Sequence, residues 1–540
     1  MKKNIQVFII CSASFLSFYS SFAQVEQQWI KRFSAAPALA DKAKFIAVDD
    51  SANVIVAGVS NTNVSKRGEM CVTKYNALGD SLWTSVFEEP GSSNSDDLNG
   101  LAIDNEQNII VTGYTHKPPD RDDDLFITTI KYNHLSGEQM FFERYLNPDP
   151  NASDRANGIA TFNNSVFITG ETWGGAFNSG GTGYDMVVLS YMPNGSNSMV
   201  YHWQDSSASV GTSIGVNPNG QVYALGYGSK NGKTFLRLVT VGGNFLDYIL
   251  PDTDWGMASS PKMVIDSDGN QVLITQFMGN ASNLGNKLLL LKFTGGNQPA
   301  WTQIINPDYS SNSVFYDLAV DTSNNIVIAG GFRLLNGSYK NFIRKFTPGG
   351  DSVWTVFPPA VTYKLACSIA TDKQNSVYSS GNLNGIIAIK YDQNGEERWR
   401  AGQGTQFWQS DIEVDNLFNV YVTGERWMDW PGDFCTVKYS QAISTGTTDL
   451  KPGCGFQLLQ NYPNPFTETT SITWQLLQKA YVILKVYDFT GHEVITLVDC
   501  EMAKGEHLVT FDATGLPPGV YLYHLKVDGE VETRKMIVIR

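Results

Sequence analysis

Charged residues are scarce in this chain, and long apolar runs are missing beyond its N-terminus. Only 17% of the 540 residues are charged, and the formal net charge is −14. A polyanion partner needs clusters of Lys and Arg to contact its phosphates, so the sequence argues against nucleic acid as a ligand. No later run reaches the ~20 apolar residues that a membrane helix needs. The sequence therefore predicts no transmembrane segment.

Catalytic motifs are missing as well. None of the six histidines has HExxH or HxH spacing, and the Gly-rich run 174–183 lacks the Lys-Ser/Thr pair of a phosphate loop. We therefore expect no enzyme, no catalytic residue and no bound cofactor. Two alternatives stay open. Loop carboxylates could degrade a polysaccharide, and the Gly-then-Trp turn from Gly79 to Trp83 suggests a quinoprotein-like enzyme.

The cysteines and acidic runs predict no metal site. Five cysteines follow the N-terminal segment without CxxC spacing, so neither a zinc site nor a disulfide framework is indicated. Cys454 and Cys500 both fall in the C-terminal region, and a disulfide and two free thiols remain open for them. The run Asp266-Ser267-Asp268-Gly269-Asn270 resembles half of a calcium loop without its distant Glu. A structural calcium ion is therefore the alternative to no metal.

The N-terminus has the pattern of a secretory signal. Lys2 and Lys3 precede an apolar stretch, and small residues, Ser21 and Ala23, stand before Gln24. This order of charged, apolar and small residues predicts a signal peptide over residues 1–23.

One pattern recurs along residues 24–440. An apolar strand ends in Asp, three residues follow, and an Asn or its substitute begins a second apolar strand. Eight copies end at Gly58, Gly113, Gly170, Gly226, Thr275, Gly330, Gly381 and Gly424. Alternating apolar residues on both sides of a polar turn predict a β-hairpin in each copy, with the Asp and Asn side chains bonding backbone amides.

Two further strands complete each copy. One carries a Lys-Tyr pair, such as Lys74-Tyr75, and the next carries a Trp, such as Trp83. Four strands about every 50 residues indicate the blades of a β-propeller. The array begins with a lone Trp strand around Trp29 and ends with a lone Lys-Tyr strand at Tyr439, so we expect these strands to share one sheet and close the ring. Eight blades are predicted, and the degenerate copy around Thr275 leaves seven as the alternative.

The phrases "AIDNEQNIIVTGYT" and "TIKYNHLSGE" make the repeats similar to bacterial SBBP-type β-propeller proteins. The resemblance covers about residues 25–440. It implies the propeller fold and says little about function.

The C-terminal region has a different pattern. Residues 441–455 are small, polar and turn-rich, which predicts a linker. Residues 456–540 contain about seven alternating segments, typical of a small Ig-like β-sandwich. This unit resembles the type A sorting domain of the type IX secretion system of Bacteroidetes-like bacteria. The residues that carry the resemblance include Tyr462, Pro463, Asn464, Pro465, Phe466, Gly491, Gly519, Tyr521 and Lys535.

The resemblance implies that type IX secretion machinery is a partner and that the protein crosses the periplasm to be secreted or displayed at the outer-membrane surface. We expect the propeller to be a binding module for a glycan or protein. Trp427 and Trp430, in an aromatic loop, are the predicted contact patch, and packing at a blade edge is the alternative use for them.

Overall fold

The computed structural model describes 24 segments of the chain. They are residues 25–36, 39–62, 68–87, 96–116, 125–145, 147, 153–173, 184–203, 208–230, 233–242, 244–250, 257–278, 286–305, 310–334, 339–358, 368–382, 386–402, 407–426, 432–441, 456–458, 461, 466–476, 478–488 and 491–539. All secondary-structure elements named within these segments are β-strands, and no helix able to span a membrane occurs in them. The all-β prediction is confirmed. The chain divides into two compact units between Ala442 and Ile443.

The described residues of the first unit form eight antiparallel sheets of four strands, numbered here in chain order. Strand β1 (Val25–Phe33) belongs to the last of them. Sheet 1 consists of β2 (Lys42–Val48), β3 (Val54–Ser60), β4 (Glu69–Tyr75) and β5 (Ser81–Phe87), and sheet 2 consists of β6 (Asp97–Ile103), β7 (Ile109–His116), β8 (Leu125–Tyr132) and β9 (Gln139–Arg144). Sheet 3 consists of β10 (Ser153–Phe162), β11 (Ser165–Trp173), β12 (Tyr184–Tyr191) and β13 (Asn197–His202). Sheet 4 consists of β14 (Ala208–Val216), β15 (Val222–Lys230), β16 (Lys233–Thr240) and β17 (Asn244–Ile249).

Sheets 5 to 8 continue the series, and the fifth and sixth are joined by one parallel bridge between Asn286 and Asn312. Sheet 5 consists of β18 (Met257–Ile265), β19 (Gln271–Met278), β20 (Asn286–Phe293) and β21 (Trp301–Ile305), and sheet 6 consists of β22 (Ser310–Val320), β23 (Ile326–Leu334), β24 (Tyr339–Phe346) and β25 (Ser352–Val356). Sheet 7 consists of β26 (Ile369–Thr371), β27 (Val377–Asn382), β28 (Ile386–Tyr391) and β29 (Glu397–Gly402). Sheet 8 consists of β30 (Phe407–Val414), β31 (Val420–Arg426) and β32 (Asp433–Gln441) together with β1.

The sheets follow one another in a closed cycle. The first strand of each sheet contacts the first strand of the next, and β30 of sheet 8 contacts β2 of sheet 1. Strand β1 pairs antiparallel with β32, where Trp29 lies opposite Lys438. This pairing confirms the prediction that the Trp29 strand shares a sheet with Tyr439. The arrangement is propeller-like, and the segment around Thr275 forms a regular ladder in which Thr275 pairs with Leu289.

The hydrophobic core lies between successive sheets. Ile55 and Val72 of sheet 1 pack in one cluster with Leu98 and Ile130 of sheet 2. The second and third strands of sheet 1 are covered on both faces and are buried along nearly their whole length, whereas its fourth strand keeps exposed positions. We call the contact between two successive sheets a seam.

The predicted Asp–Asn turns are present. In several of them the Asp carboxylate also pairs with a lysine ammonium group, which the sequence pattern did not predict. Asp49 Oδ1 accepts hydrogen bonds from the backbone N–H groups of Ser51 (2.9 Å) and Asn53 (2.8 Å). Its Oδ2 lies 2.8 Å from Nζ of Lys74, the lysine of the third strand. The same buried pair recurs as Lys131–Asp104, Lys292–Asp266, Lys345–Asp321 and, at 3.5 Å, Lys390–Asp372.

The second unit has two sheets around one core. Their strands are β33 (Phe456–Leu458), β34 (Thr469–Leu476) and β37 (Gly505–Asp512), and then β36 (Glu493–Met502), β35 (Ala480–Asp488), β38 (Gly519–Val527) and β39 (Glu530–Val538). Trp474 from the first sheet and Tyr523 from the second are buried in the shared core. The predicted Asp528-Gly529 hairpin joins β38 to β39, with φ of 49° and 99°, as a tight turn of this kind requires.

Candidate functional site

The first strands of the sheets are linked around the ring by polar side chains. Lys44 of sheet 1 bonds to Asp97 of sheet 2. Asn99 Nδ2 then donates to Ala156 O across the next seam at 2.9 Å. The following two seams have the same kind of link, Asn157 Nδ2 to Gly211 O at 2.9 Å and Thr212 Oγ1 to Pro261 O at 2.8 Å. Each of these residues sits at or beside a β-bulge, which turns the side chain toward the neighbouring sheet.

Charge concentrates where sheets 5, 6, 7, 8 and 1 meet. We call Lys262, Asp317, Ser368, Asp411 and Glu413 the acidic cluster. Lys262 of sheet 5 bonds to Asp317 of sheet 6. Ser368 Oγ, just before β26, lies 2.8 Å from Asp317 Oδ2 and 2.9 Å from Asp411 Oδ1. The cluster continues the chain of links around the ring.

Backbone amides use most of the remaining oxygen capacity of the two aspartates. Ile369 N–H donates to Asp317 Oδ2 at 2.8 Å. Ile46 N–H of sheet 1 donates to Asp411 Oδ2 at 3.0 Å. The two carboxyl groups therefore tie five sheets together, and Asp411 joins the last sheet to the first.

The acidic cluster holds more negative charge than Lys262 balances. Burial raises the pKa of Asp411, and the nearby Asp317 raises it further, although the Ile46 N–H opposes the shift. Burial, followed by the charge of Asp411, raises the pKa of Glu413 to about 7. Because one carboxylate disfavours ionisation of the next, Glu413 is partly protonated near neutral pH.

Ser368 joins the two aspartates. Its Oγ lies within hydrogen-bond distance of Asp317 of sheet 6 and of Asp411 of sheet 8. These contacts make the cluster a fastening between sheets.

The predicted calcium half-loop is a turn that contains an ammonium group. Asp266 Oδ2 lies 2.8 Å from Lys292 Nζ, and Asp266 Oδ1 accepts from the N–H of Asp268 and of Asn270. Asp268 Oδ2 accepts from Asn324 Nδ2 at 2.9 Å. Both carboxylate oxygens of Asp266 thus have hydrogen-bond or ion-pair partners within the protein. Among the residues that the structure describes, no three His, Cys, Asp or Glu side chains form a group suited to a metal ion.

The structure places some of the sequence-predicted sorting residues together. Phe466 is buried and bridges to the last strand, since its N–H donates to Ile537 O (3.0 Å) and its carbonyl accepts from Ile539 N–H (2.8 Å). Lys535 lies in that strand, β39, opposite Leu522. Tyr521 OH donates to Pro517 O at 2.8 Å.

Other predicted residues lie elsewhere or cannot be placed. Gly491 is in the turn before β36, with φ of 87°, and Gly519 begins β38. Tyr462, Pro463, Asn464 and Pro465, the contact-patch residues Trp427 and Trp430, the signal peptide and Cys454 lie outside the described residues. Cys500 is an exposed free cysteine.

Sequence reasoning missed the acidic cluster. Its members were visible only by aligning the repeats: Lys262, Asp317, Ser368 and Asp411 each stand four residues before the repeated Asp of their own copy. A polar residue at an otherwise apolar or small position was the available signal.

Comparison with known structures finds matches at low sequence identity. One is PorZ, a surface component of the type IX secretion system of Porphyromonas gingivalis, with 13% identity, 92% of this chain and 86% of that chain covered, and a TM-score of 0.33. BamB from Moraxella catarrhalis has 11% identity, coverage of 77% and 100%, and a TM-score of 0.41. The polysaccharide lyase Uly1 has 11% identity, coverage of 76% and 91%, and a TM-score of 0.43.

No curated protein matches the chain. A family model, the secretion system C-terminal sorting domain, matches residues 460–539, which include β34 to β39. The second unit of this protein is therefore a C-terminal sorting domain of the type IX secretion system, and it implies export to the cell surface or secretion.

Proposed function

We propose that residues 25–441 form an eight-bladed β-propeller with SBBP-like repeats, which serves as a binding module outside the cell. Each four-stranded sheet is one blade. The closed contacts of the first strands, the pairing of β1 with β32 and the regular ladder at Thr275 support eight blades over seven. The sorting domain, in this proposal an Ig-like sandwich, supplies the address.

The observation that carries the proposal is the difference between the two ends of the sheets. Because neighbouring strands are antiparallel, the connections from first to second strands share one end, and those from second to third strands share the other. In sheets 1, 2, 4, 5, 6, 7 and 8 the first connection has five residues, as at 49–53. The second connection varies from two residues, 231–232, to ten, 174–183. Constant turns at one end and variable loops at the other are typical of a scaffold that presents a binding face.

The proposed ligand is a glycan or a protein. The connection that holds Trp427 and Trp430 joins the second and third strands of sheet 8, so it belongs to the variable end. Aromatic rings in such a loop offer flat apolar surfaces with a polar handle. We propose that these two residues form the contact patch, that the propeller has no catalytic activity, and that it needs no cofactor.

The proposed export route uses two targeting signals. The signal peptide, residues 1–23, delivers the chain to the periplasm, and the type IX machinery then reads the sorting domain. Because strand β32 includes Gln441, the linker in this proposal comprises residues 442–455 rather than 441–455.

A glycan-array screen of the purified protein tests the binding role. The Trp427→Ala/Trp430→Ala double variant should lose the signal. The control Leu135→Ala, at a side chain that is 77% exposed at the constant end, should keep it. Binding that survives the double variant would remove the contact patch.

Assays with the polysaccharides bound on the array test the catalytic alternative, together with quinone-dependent oxidation. No product should form. Turnover that disappears when one carboxylate is replaced would overturn the binding proposal in favour of an enzyme.

A further inference from the structure

Among the described residues, three seams of the ring carry a repeated interlock. The lysine of the third strand and the tryptophan of the fourth strand both donate to a carbonyl oxygen in the turn between the third and fourth strands of the next sheet. Lys74 Nζ and Trp83 Nε1 reach His134 O at 2.9 and 3.2 Å. Lys292 and Trp301 reach Pro348 O at 3.3 and 3.0 Å. Lys438 and Trp29 reach Ala77 O at 2.9 and 3.1 Å.

Sheet 8 cannot offer such a turn to sheet 7. Its fourth strand is β1, which comes from the other end of the unit, so no chain segment runs from the third strand to the fourth. Strand β32 ends at Gln441, and β1 begins at Val25, directly opposite it. The lysine and tryptophan of sheet 7, Lys390 and Trp399, are thus left without the usual backbone acceptor.

The side chain of Gln441 takes the place of that acceptor. Its Oε1 accepts from Lys390 Nζ at 3.0 Å and from Trp399 Nε1 at 2.9 Å. Its Nε2 donates to Tyr378 OH at 2.7 Å and to Phe418 O at 2.6 Å. A glutamine amide has two acceptor sites and two donor hydrogens, so all four are used.

We propose that Gln441 is the clasp of the ring, a side-chain amide that replaces the missing turn at the seam between sheets 7 and 8. The contacts that fasten this seam then end at residue 441. The ring therefore stays closed when the C-terminal unit is removed from it. Neither the clasp nor this consequence rests on the proposed export function, since both follow from the contacts of Gln441.

Hydrogen exchange of the full chain tests the clasp. In Gln441→Ala, Trp399 Nε1 loses its acceptor, and Lys390 loses its hydrogen bond to Oε1 but keeps its 3.5 Å contact with Asp372. Exchange of the backbone amides in β28, β29 and the end of β32 should become about tenfold faster, the effect of losing a hydrogen bond or two at a partly buried site. Sheets 2 to 5 should exchange as in the wild type.

Two further variants separate the hydrogen bonds from packing. Gln441→Met keeps the length of the side chain and removes the amide, so it should behave like Gln441→Ala. Ser440→Ala, which removes only an exposed contact with Gln28, should leave exchange unchanged. If both Gln441 variants exchange like the wild type, the clasp is wrong. If Gln441→Ala fails to fold, Gln441→Met and Trp399→Phe supply the same comparison.

Cleavage of the folded chain tests the consequence. A specific protease sequence inserted between Thr447 and Thr448 allows the C-terminal unit to be removed after folding. Exchange in β1, β29 and β32 should not change on cleavage, and a faster exchange there would show that the ring depends on the C-terminal unit. Both measurements use purified protein, so a failure of the export proposal would leave their outcome untouched.

Discussion

At the scale of single residues, the main feature is a buried ion pair that recurs in five sheets. Both side chains of the Lys131–Asp104 pair are almost fully buried, and Asp104 also accepts from two backbone N–H groups. A buried charge is costly unless it is paired and hydrogen-bonded, so each partner depends on the other. The pair fixes the turn to the third strand of the same sheet.

Removing one member of this pair should therefore be severe. Lys131→Met should lower the free energy of unfolding by about 3–5 kcal/mol, because Asp104 is left as an unpaired buried charge. Adding Asp104→Asn should restore much of the loss, and urea unfolding measures both. The control Lys479→Met, at a pair with Glu501 that is more than 60% exposed on each side, should cost at most about 0.5 kcal/mol. Equal losses in Lys131→Met and the control would contradict the argument.

Glu413 makes stability depend on pH. Its pKa is raised from the ordinary 4.5 to about 7, so the folded state favours the protonated form. Below pH 4.5 Glu413 does not destabilise the folded protein. As the pH rises from 4.5 to about 7, burial of this group lowers the free energy of unfolding, and above about pH 7 the loss is complete. Glu413→Gln should therefore raise the free energy of unfolding by up to about 3 kcal/mol at pH 8 and leave it almost unchanged at pH 4. Glu397→Gln, at an exposed pair with Arg400, is the control. An equal gain at both pH values would refute the assignment.

The cysteines should differ sharply in reactivity. Burial raises the pKa of Cys71, and it raises that of Cys435 to about 12. The thiolate is the reactive form, so both should resist alkylation in the native protein, whereas the exposed Cys500 should react quickly. Mass spectrometry of labelled peptides measures each site. Labelling of Cys71 as fast as Cys500 in folded protein would contradict the packing described for sheet 1.

At the scale of elements, the interlock explains the glycine of the turn between third and fourth strands. Gly137 has φ of 70°, and a Cβ there would lie 2.5 Å from the Trp83 ring of the preceding sheet. The glycine is thus required both for its backbone angle and for the approach of the tryptophan. The Gly-then-Trp order is visible in the sequence without its partner, because Trp29, Trp83, Trp301 and Trp354 each contact the turn glycine of the following sheet.

This double requirement can be separated by substitution. Gly295 has φ of 89°, and a Cβ added to it would have nothing within 4 Å, so Gly295→Ala measures the cost of the angle alone, about 1 kcal/mol. Gly137→Ala should cost at least about 2 kcal/mol more, since an overpacked contact is added. Thermal and urea unfolding of the two variants give the comparison, and equal losses would argue against the interlock at Trp83.

The sequence predicted the elements well and the contacts between them poorly. Period-2 apolar patterns and polar turns are local signals, so the hairpin at Asp49 and Asn53 and the pairing expected for Trp29 were accessible. Gln441, Ser368 and Asp411 act across seams, on partners about 40 to 60 residues away or more. The local sequence around these residues does not predict those partners, because only the closed cycle of sheets brings them together.

At the scale of the whole molecule, the two units are built differently. The first has constant turns fastened by ion pairs and interlocks at one end of its sheets, and connections of variable length at the other. The second shares none of that repeat and matches a sorting family over residues 460–539. A module that is read by other machinery need not resemble the cargo that it delivers.

The export prediction follows from this division. In the sorting domain, the last residues of β39 pair with Phe466 through two backbone hydrogen bonds, so this end is held at a defined place on the domain. Cells of a bacterium with type IX secretion that express the full chain should deliver the propeller to the surface or medium. A chain without residues 456–540, and one without Met536 to Arg540, should both accumulate in the periplasm.

The control for this experiment is Lys479→Met, which lies in the sorting domain at an exposed pair and should be exported normally. Protease resistance of the periplasmic forms shows whether the propeller has folded, because a folded ring of interlocked sheets offers few cleavable segments outside its connections. A folded propeller that remains in the periplasm without its C-terminal unit would place the address in that unit alone. Surface delivery of the chain that lacks residues 456–540 would show instead that the propeller carries its own address.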